Sequence, residues 1–167
     1  MLFRSTGSGG STASSGNYFD AVNLTNSATL VYDNSHPLHS YPSLKATTST
    51  TSGAANIQWV ASVGQWTTVY MRMYFYMPSG QTSSVRLFTM QQGSGSLCAG
   101  VKILPGGGLQ LVDSTNTLIT GAASTGTAAY LNTVVRIEGS WNLSASGSAT
   151  FYIYLGDNTT PSETLTF

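Results

Sequence analysis

Seven residues stand out for their chemistry and their spacing. Arg72, Tyr74 and Tyr76 occupy alternate positions, as do Arg136 and Glu138, and again Tyr152 and Tyr154. In an extended chain alternate side chains share a face, so each group points to one side of its own strand. If the three strands are neighbours in one sheet, the seven residues form a tyrosine-rich patch carrying charges of both signs. Flat aromatic faces stack on sugar rings, while guanidinium and carboxylate groups hydrogen-bond sugar hydroxyls. The chemistry expected of such a patch is glycan binding. The same residues also admit a purely structural reading, in which Arg136 and Glu138 pair across strands with Arg72 or Arg86 and the tyrosines cover the sheet.

Catalytic arrangements are poorly supplied. Glycoside hydrolysis needs two carboxyl groups flanking one bond, and the acidic residues are Asp20, Asp33, Asp113, Glu138, Asp157 and Glu163, no two of them within four positions of each other. A lyase site needs a neutralising cation beside a His or Tyr base. Arg72, Tyr74, Arg136 and Tyr152 could furnish one, but His36 and His39 both fall in a proline-containing stretch. There is no Gly-x-Ser-x-Gly nucleophile elbow. Cys98 sits in a predicted strand beside Leu97 with no histidine near it in sequence, so it reads as a small buried hydrophobe. No catalytic residue is assigned.

Cofactor and metal signals are equally thin. His36 and His39 supply two ligands where a zinc site needs more, and Pro37 spoils their helical spacing. Asp33, Asn34 and Asp157 are the loop oxygens a calcium ion would draw on. Gly106–Gly107–Gly108 lacks the Lys-Ser/Thr of a phosphate loop and reads as a β-turn. The expectation is no cofactor and no metal.

Composition bounds the class. The 167 residues include only 6 Lys+Arg and 6 Asp+Glu, so 7% are charged and the net charge is zero, against about 25% in an ordinary soluble domain. Hydroxyls replace charges: there are 24 Ser and 23 Thr, beside 18 Gly. A nucleic-acid footprint would need clustered Lys and Arg, so no nucleic-acid partner is expected. No apolar run approaches the roughly 18 residues of a membrane span, so no membrane partner is expected. A single cysteine excludes an internal disulfide. Met1–Arg4 runs directly into a Gly/Ser/Thr stretch without an export-signal core. An extracellular type of composition behind such a start fits a virion protein, assembled in a bacterial cytoplasm and exposed outside after lysis. A piece of a longer secreted protein is the alternative.

The elements that must position these residues are strands. Residues 1–17 read as a flexible Gly/Ser/Thr-rich arm, expected to lie along a partner surface, and residues 18–167 as one sandwich. Strands are expected at Ala28–Tyr32, Ser43–Thr48, Ala55–Val60, Trp66–Met77, Val85–Met90, Leu97–Leu104, Leu109–Asp113, Thr117–Thr120, Tyr130–Trp141, Phe151–Leu155 and Glu163–Phe167, with His36–Pro42 a loop. Trp66–Met77 reads as a central strand. No stretch holds a helical period, so many short strands with Gly-rich turns imply an antiparallel two-sheet β-sandwich or barrel.

The strand order resembles the concanavalin A-like, or laminin-G-like, jelly-roll domains of actinobacterial secreted proteins and of the virion proteins of their phages. Thr68–Phe75 is similar to the family's "yvRfyf" strand, Val101–Leu111 to its "vrltadGkLrl" hairpin, and Tyr130–Glu138 to its "tgtWyRIEv" strand. Asn132 or Thr133 stands where the family carries a tryptophan, and the chain stops at Phe167 in mid-pattern, where a neighbouring subunit could supply strands. The resemblance implies two packed antiparallel sheets, one with a concave outer face. Composition and resemblance together lead to the expectation of a non-enzymatic phage virion surface protein, a capsid decoration or tail-associated module. Its expected partners are other virion subunits, in a homo-oligomer, and a host-surface glycan. A secreted carbohydrate-binding module or carbohydrate-active enzyme domain is the alternative.

Overall fold

The computed structural model describes residues 21–38, 41–48, 53–58, 68–91, 97–125, 127–142 and 147–167. Regular structure there is strand, apart from one 3-10 turn at Thr127–Tyr130. The chain is all-β, with four antiparallel sheets. It divides into two compact units, the boundary falling between Gln65 and Trp66. The expected N-terminal arm lies outside the described residues.

In the first unit β1 (Ala21–Leu24) pairs with β4 (Ala55–Gln58), and β2 (Thr29–Leu38) pairs with β3 (Tyr41–Thr47). Asn26 and Ser27 take positive φ of 51° and 59° between β1 and β2, conformations that asparagine in particular tolerates. Leu30 is buried, with Val22, Leu44 and Ile57 packed on it. Strand β1 had no counterpart among the expected strands. The expected loop at His36–Pro42 is also corrected: β2 runs on through Pro37 to Leu38, and β3 starts at Tyr41. The ladder explains how. Asp33 pairs with Ser43 and Leu38 with Tyr41, with an irregularity between them, so Pro37 falls where no regular partner asks for its missing N–H.

The second unit holds β5 (Thr68–Tyr76), β6 (Val85–Gln91), β7 (Leu97–Ile103), β8 (Leu109–Val112), β9 (Leu118–Ala123), β10 (Val134–Asn142), β11 (Ser148–Leu155) and β12 (Glu163–Thr166). One sheet is the plain meander β6-β7-β8-β9, and the other runs β12-β11-β10-β5. Both contribute to one core, which includes Val101, Ile103, Leu109 and Leu111 from the first sheet and Phe75, Val135, Ile137, Trp141, Phe151 and Ile153 from the second. This shared core gives the unit its sandwich character. The alternation assigned to β5, β10 and β11 is observed: Phe75, Val135, Ile137, Phe151 and Ile153 are buried, and the intervening residues are not.

Two expectations about these strands are corrected. β5 is not central among the described strands: it has one ladder, to β10, and β10 and β11 hold the middle of the sheet. The strand expected from Tyr130 begins at Val134, because Thr127–Tyr130 is a 3-10 turn and Asn132 has a φ of +54°. That turn is tied to the end of β5, the Asn132 N–H donating to the Met77 carbonyl at 2.8 Å and the Ser79 N–H to Asn132 Oδ1 at 3.0 Å. Gly107, at a φ of +89°, forms the expected turn, its N–H donating to the Leu104 carbonyl at 2.8 Å.

One glycine leaves room for its neighbour in the β12-β11-β10-β5 sheet. A β-carbon on Gly139, in the middle of β10, would collide with the Thr150 carbonyl and the Phe151 ring. Phe151, Gly139's register partner, is fully buried. The ring therefore occupies the space a side chain at 139 would take.

Candidate functional site

Register alone brings the sequence-selected residues together. Arg72 of β5 lies opposite Glu138 of β10, which lies opposite Tyr152 of β11, itself opposite Thr164 of β12. The next row is Tyr74–Arg136–Tyr154, and Tyr76 faces Val134 beyond it. All seven lie on the outer face of one sheet. On the other side of the Arg72 row stand Tyr70, Ser140 and Thr150. Tyr70, two residues before Arg72, shares its face by the same alternation and adds an aromatic ring to the seven.

The centre of the face is an ion-pair network. Arg72 Nε lies 2.7 Å from Glu138 Oε1, and Arg136 Nε lies 2.8 Å from the same oxygen. The Arg136 approach is off the N–H direction, so that contact is an ion pair and the N–H has no hydrogen-bond acceptor. Of the two expected partners for this pair, Arg72 is the one found. Arg86 belongs to the other sheet and donates from Nε to Asn116 Oδ1 at 3.0 Å.

Arg136 is committed to structure. Its side chain is 11% exposed against 56% for Arg72. Its Nη2 donates to the Asn158 carbonyl at 2.8 Å and its Nη1 to the Gly156 carbonyl at 3.3 Å. The guanidinium carbon sits 4.1 Å from the Tyr154 ring centre and 5.9 Å from that of Tyr74. Such stacking adds on the order of 1 kcal/mol. The arginine thereby fastens the β11–β12 turn to the middle of the sheet. Asp157 in that turn accepts a hydrogen bond from the Tyr74 hydroxyl at 3.3 Å and lies 3.9 Å from Arg136 Nη1. Asp157 was assigned only to a loop from sequence; no pattern within β11 or β12 could reveal that the turn folds back onto Tyr74.

The seven residues therefore divide by exposure. Tyr74, Tyr76, Arg136, Glu138 and Tyr154 are partly covered, Arg136 the most of the charged pair. Arg72 and Tyr152 are open to solvent, with Tyr152 at 41%, and Tyr70 at 78% joins them. Tyr70 and Tyr152 stand on β5 and β11, two strand spacings across and one row along, or about 12 Å apart. Ser140 and Glu138 of β10 lie between them. Two raised aromatic rings separated by a small hydroxyl and a carboxylate are suited to holding a flat, hydroxylated ring system.

Other chemistry-bearing clusters have local explanations. In the first unit the Asp33 carboxylate accepts from Ser35 Oγ at 2.6 Å and from the Ser35 N–H at 2.9 Å, and His36 Nδ1 lies 3.5 Å away. These bonds, the Ser35 side chain first, pull the Asp33 carboxyl from 3.8 down to about 2. Asp113 accepts from the Thr117 N–H and from both the Thr115 hydroxyl and N–H, which lowers its pKa in the same way. Both are turn-type bonds of an aspartate to its own following residues. Cys98 packs against the core but is only partly buried, less than expected of it from sequence. Among the described residues no group of three or more His, Cys, Asp or Glu could hold a metal ion, and His39 lies outside them. No helix of the described residues is long and apolar enough to cross a membrane.

No protein-family model, no curated protein and no solved structure matches the chain.

Proposed function

We propose that this protein is a non-enzymatic surface component of a bacteriophage virion, a capsid decoration or tail-associated module, whose outer β12-β11-β10-β5 face binds a host-surface glycan. The observation that carries the glycan reading is the register: Arg72, Glu138 and Tyr152 fall in one row, with Tyr70 beside it, as an exposed aromatic and polar surface. Aromatic platforms with a few fixed polar groups are how proteins hold sugars. The non-enzymatic reading is supported by the engagement of Glu138 with two guanidinium groups and of Arg136 with two turn carbonyls, which uses these groups as fixed contacts.

The virion setting and the concanavalin A-like jelly-roll identity belong to the same proposal. They are supported by the hydroxyl-rich, sparsely charged composition and by the likeness of the β5, β7–β8 and β10 segments to that family's strands. Assembly as a homo-oligomer with other virion subunits is part of this reading. A secreted carbohydrate-binding module shares the glycan face and differs in setting. Mass spectrometry of purified phage particles separates the two: the virion reading expects the chain among the particle proteins, and its recovery only from particle-free culture supernatant would overturn that setting.

A further inference from the structure

We infer that the ligand of this face is a neutral glycan, gripped through a vicinal diol by the Arg72–Glu138 pair; the inference rests on the glycan-binding reading above. The first ground is the chemistry of the pair. A guanidinium only donates hydrogen bonds and a carboxylate only accepts them, whereas a sugar hydroxyl does both. Arg72 and Glu138 are register partners on adjacent strands and meet at 2.7 Å, with 56% and 24% of their side chains still open. They present a donor and an acceptor side by side. Two neighbouring hydroxyls answer them, one accepting from Arg72 and the other donating to Glu138, without breaking the pair.

The second ground is the charge around them. The face carries two guanidiniums, Arg72 and Arg136, and two carboxylates, Glu138 and Asp157. Arg136 is nearly covered and already donates to Gly156 and Asn158, so Arg72 is the accessible cation. An acidic sugar would meet a guanidinium whose charge Glu138 already neutralises. It would also bring a further negative charge up to Glu138 and to Asp157, which is 70% exposed. Like charges that close repel. Tyr152, in the same row as the pair, and Tyr70, two residues along β5 from Arg72, then supply stacking that is indifferent to charge.

The test titrates the full chain with a panel of neutral polysaccharides (glucan, mannan, galactan) and acidic ones (polygalacturonate, alginate), each before and after periodate, which cleaves vicinal diols. The expected result is binding to at least one neutral polymer, lost after periodate and changing less than about twofold between low and high salt. Arg72→Gln and Glu138→Gln each weaken it by about tenfold, one charge-assisted hydrogen bond. Arg72 is exposed and lies on the edge strand among the described residues, so its variant keeps the measurement usable if Glu138→Gln unfolds. Tighter binding of an acidic polymer, lost in Tyr152→Ala, overturns the neutral-diol inference and leaves the glycan reading standing. Neutral binding that survives periodate or both glutamine variants overturns it too. Binding of no polymer on the panel overturns both.

Discussion

Arg136 lies over Tyr154, its guanidinium carbon 4.1 Å from the ring centre, while its terminal nitrogens reach past that ring to the carbonyls of Gly156 and Asn158. One nearly covered side chain thus joins the middle strand of the sheet to the turn that leaves the next. Replacing it removes the stacking and leaves two carbonyls and Glu138 with fewer partners. Arg136→Ala is expected to lower stability by about 2–4 kcal/mol. Arg136→Lys keeps the charge but not the planar fork and recovers less than half of that. The urea unfolding midpoint reads both, and an unchanged midpoint in Arg136→Ala would show that the arginine is not the fastening.

Gly139 gives a sharper steric expectation. A methyl group there meets the Thr150 carbonyl and the Phe151 ring, and Phe151 is fully buried with nowhere to retreat. Gly139→Ala should cost about 2–3 kcal/mol by overpacking, while Ser140→Ala, on the outer face, should stay within about 0.5 kcal/mol. Thermal melting compares the pair, and equal melting temperatures would contradict the packing described for β10 and β11.

Strand alternation was the part of this fold most legible in the sequence. The i, i+2 pattern placed Arg72, Tyr74 and Tyr76 outside and Phe75 inside, and did the same along β10 and β11, because burial of one face enforces period two. Alternation says nothing about which strand is whose neighbour. The ladder that places Arg72 opposite Glu138, with β5 at an edge among the described strands, is set by pairing across more than sixty residues of chain. Pro37 misled because a proline forbids a regular ladder position but not an irregular one. Tyr130 looked like a strand start because aromatic residues favour strands, yet its hydroxyl is anchored by Glu163 from a 3-10 turn. The contact of Asp157 with Tyr74 depends on how a turn folds back, which local pattern does not encode.

That anchor has a pH consequence. The Tyr130 hydroxyl donates to Glu163 Oε2 at 2.9 Å, and burial together with this carboxylate raises its pKa well above the ordinary 10.0. A raised folded-state pKa gives stability that is complete below the unfolded value and is lost as pH rises beyond it toward the folded one. The protein should therefore lose stability above about pH 10, where the unfolded chain's tyrosine ionises first. Tyr130→Phe should be less stable by about 1–2 kcal/mol at neutral pH and should show a smaller alkaline loss. A variant as pH-sensitive as the parent would exclude Tyr130 as the source.

Asp33 behaves in the opposite sense. Its carboxyl is pulled from 3.8 to about 2 by the Ser35 hydroxyl and N–H, so its contribution is present above pH 3.8 and disappears as pH falls through about 2. An NMR titration of the Asp33 side chain should give a midpoint near 2, moving back toward 3.8 in Ser35→Ala. A midpoint unmoved by that substitution would mean that the serine is not the cause.

The central claim is that the outer face of β12-β11-β10-β5 takes a glycan, and the direct measurement is a glycan array probed with the parent chain and with Tyr152→Ala. Tyr152 is exposed and apart from the Arg136 network, so its loss should leave the melting temperature unchanged. The account predicts that the parent binds and that the variant, folded to the same degree, loses about tenfold or more in affinity, the worth of one stacked ring. A parent that binds no glycan, or a variant that binds as well as the parent, would contradict it.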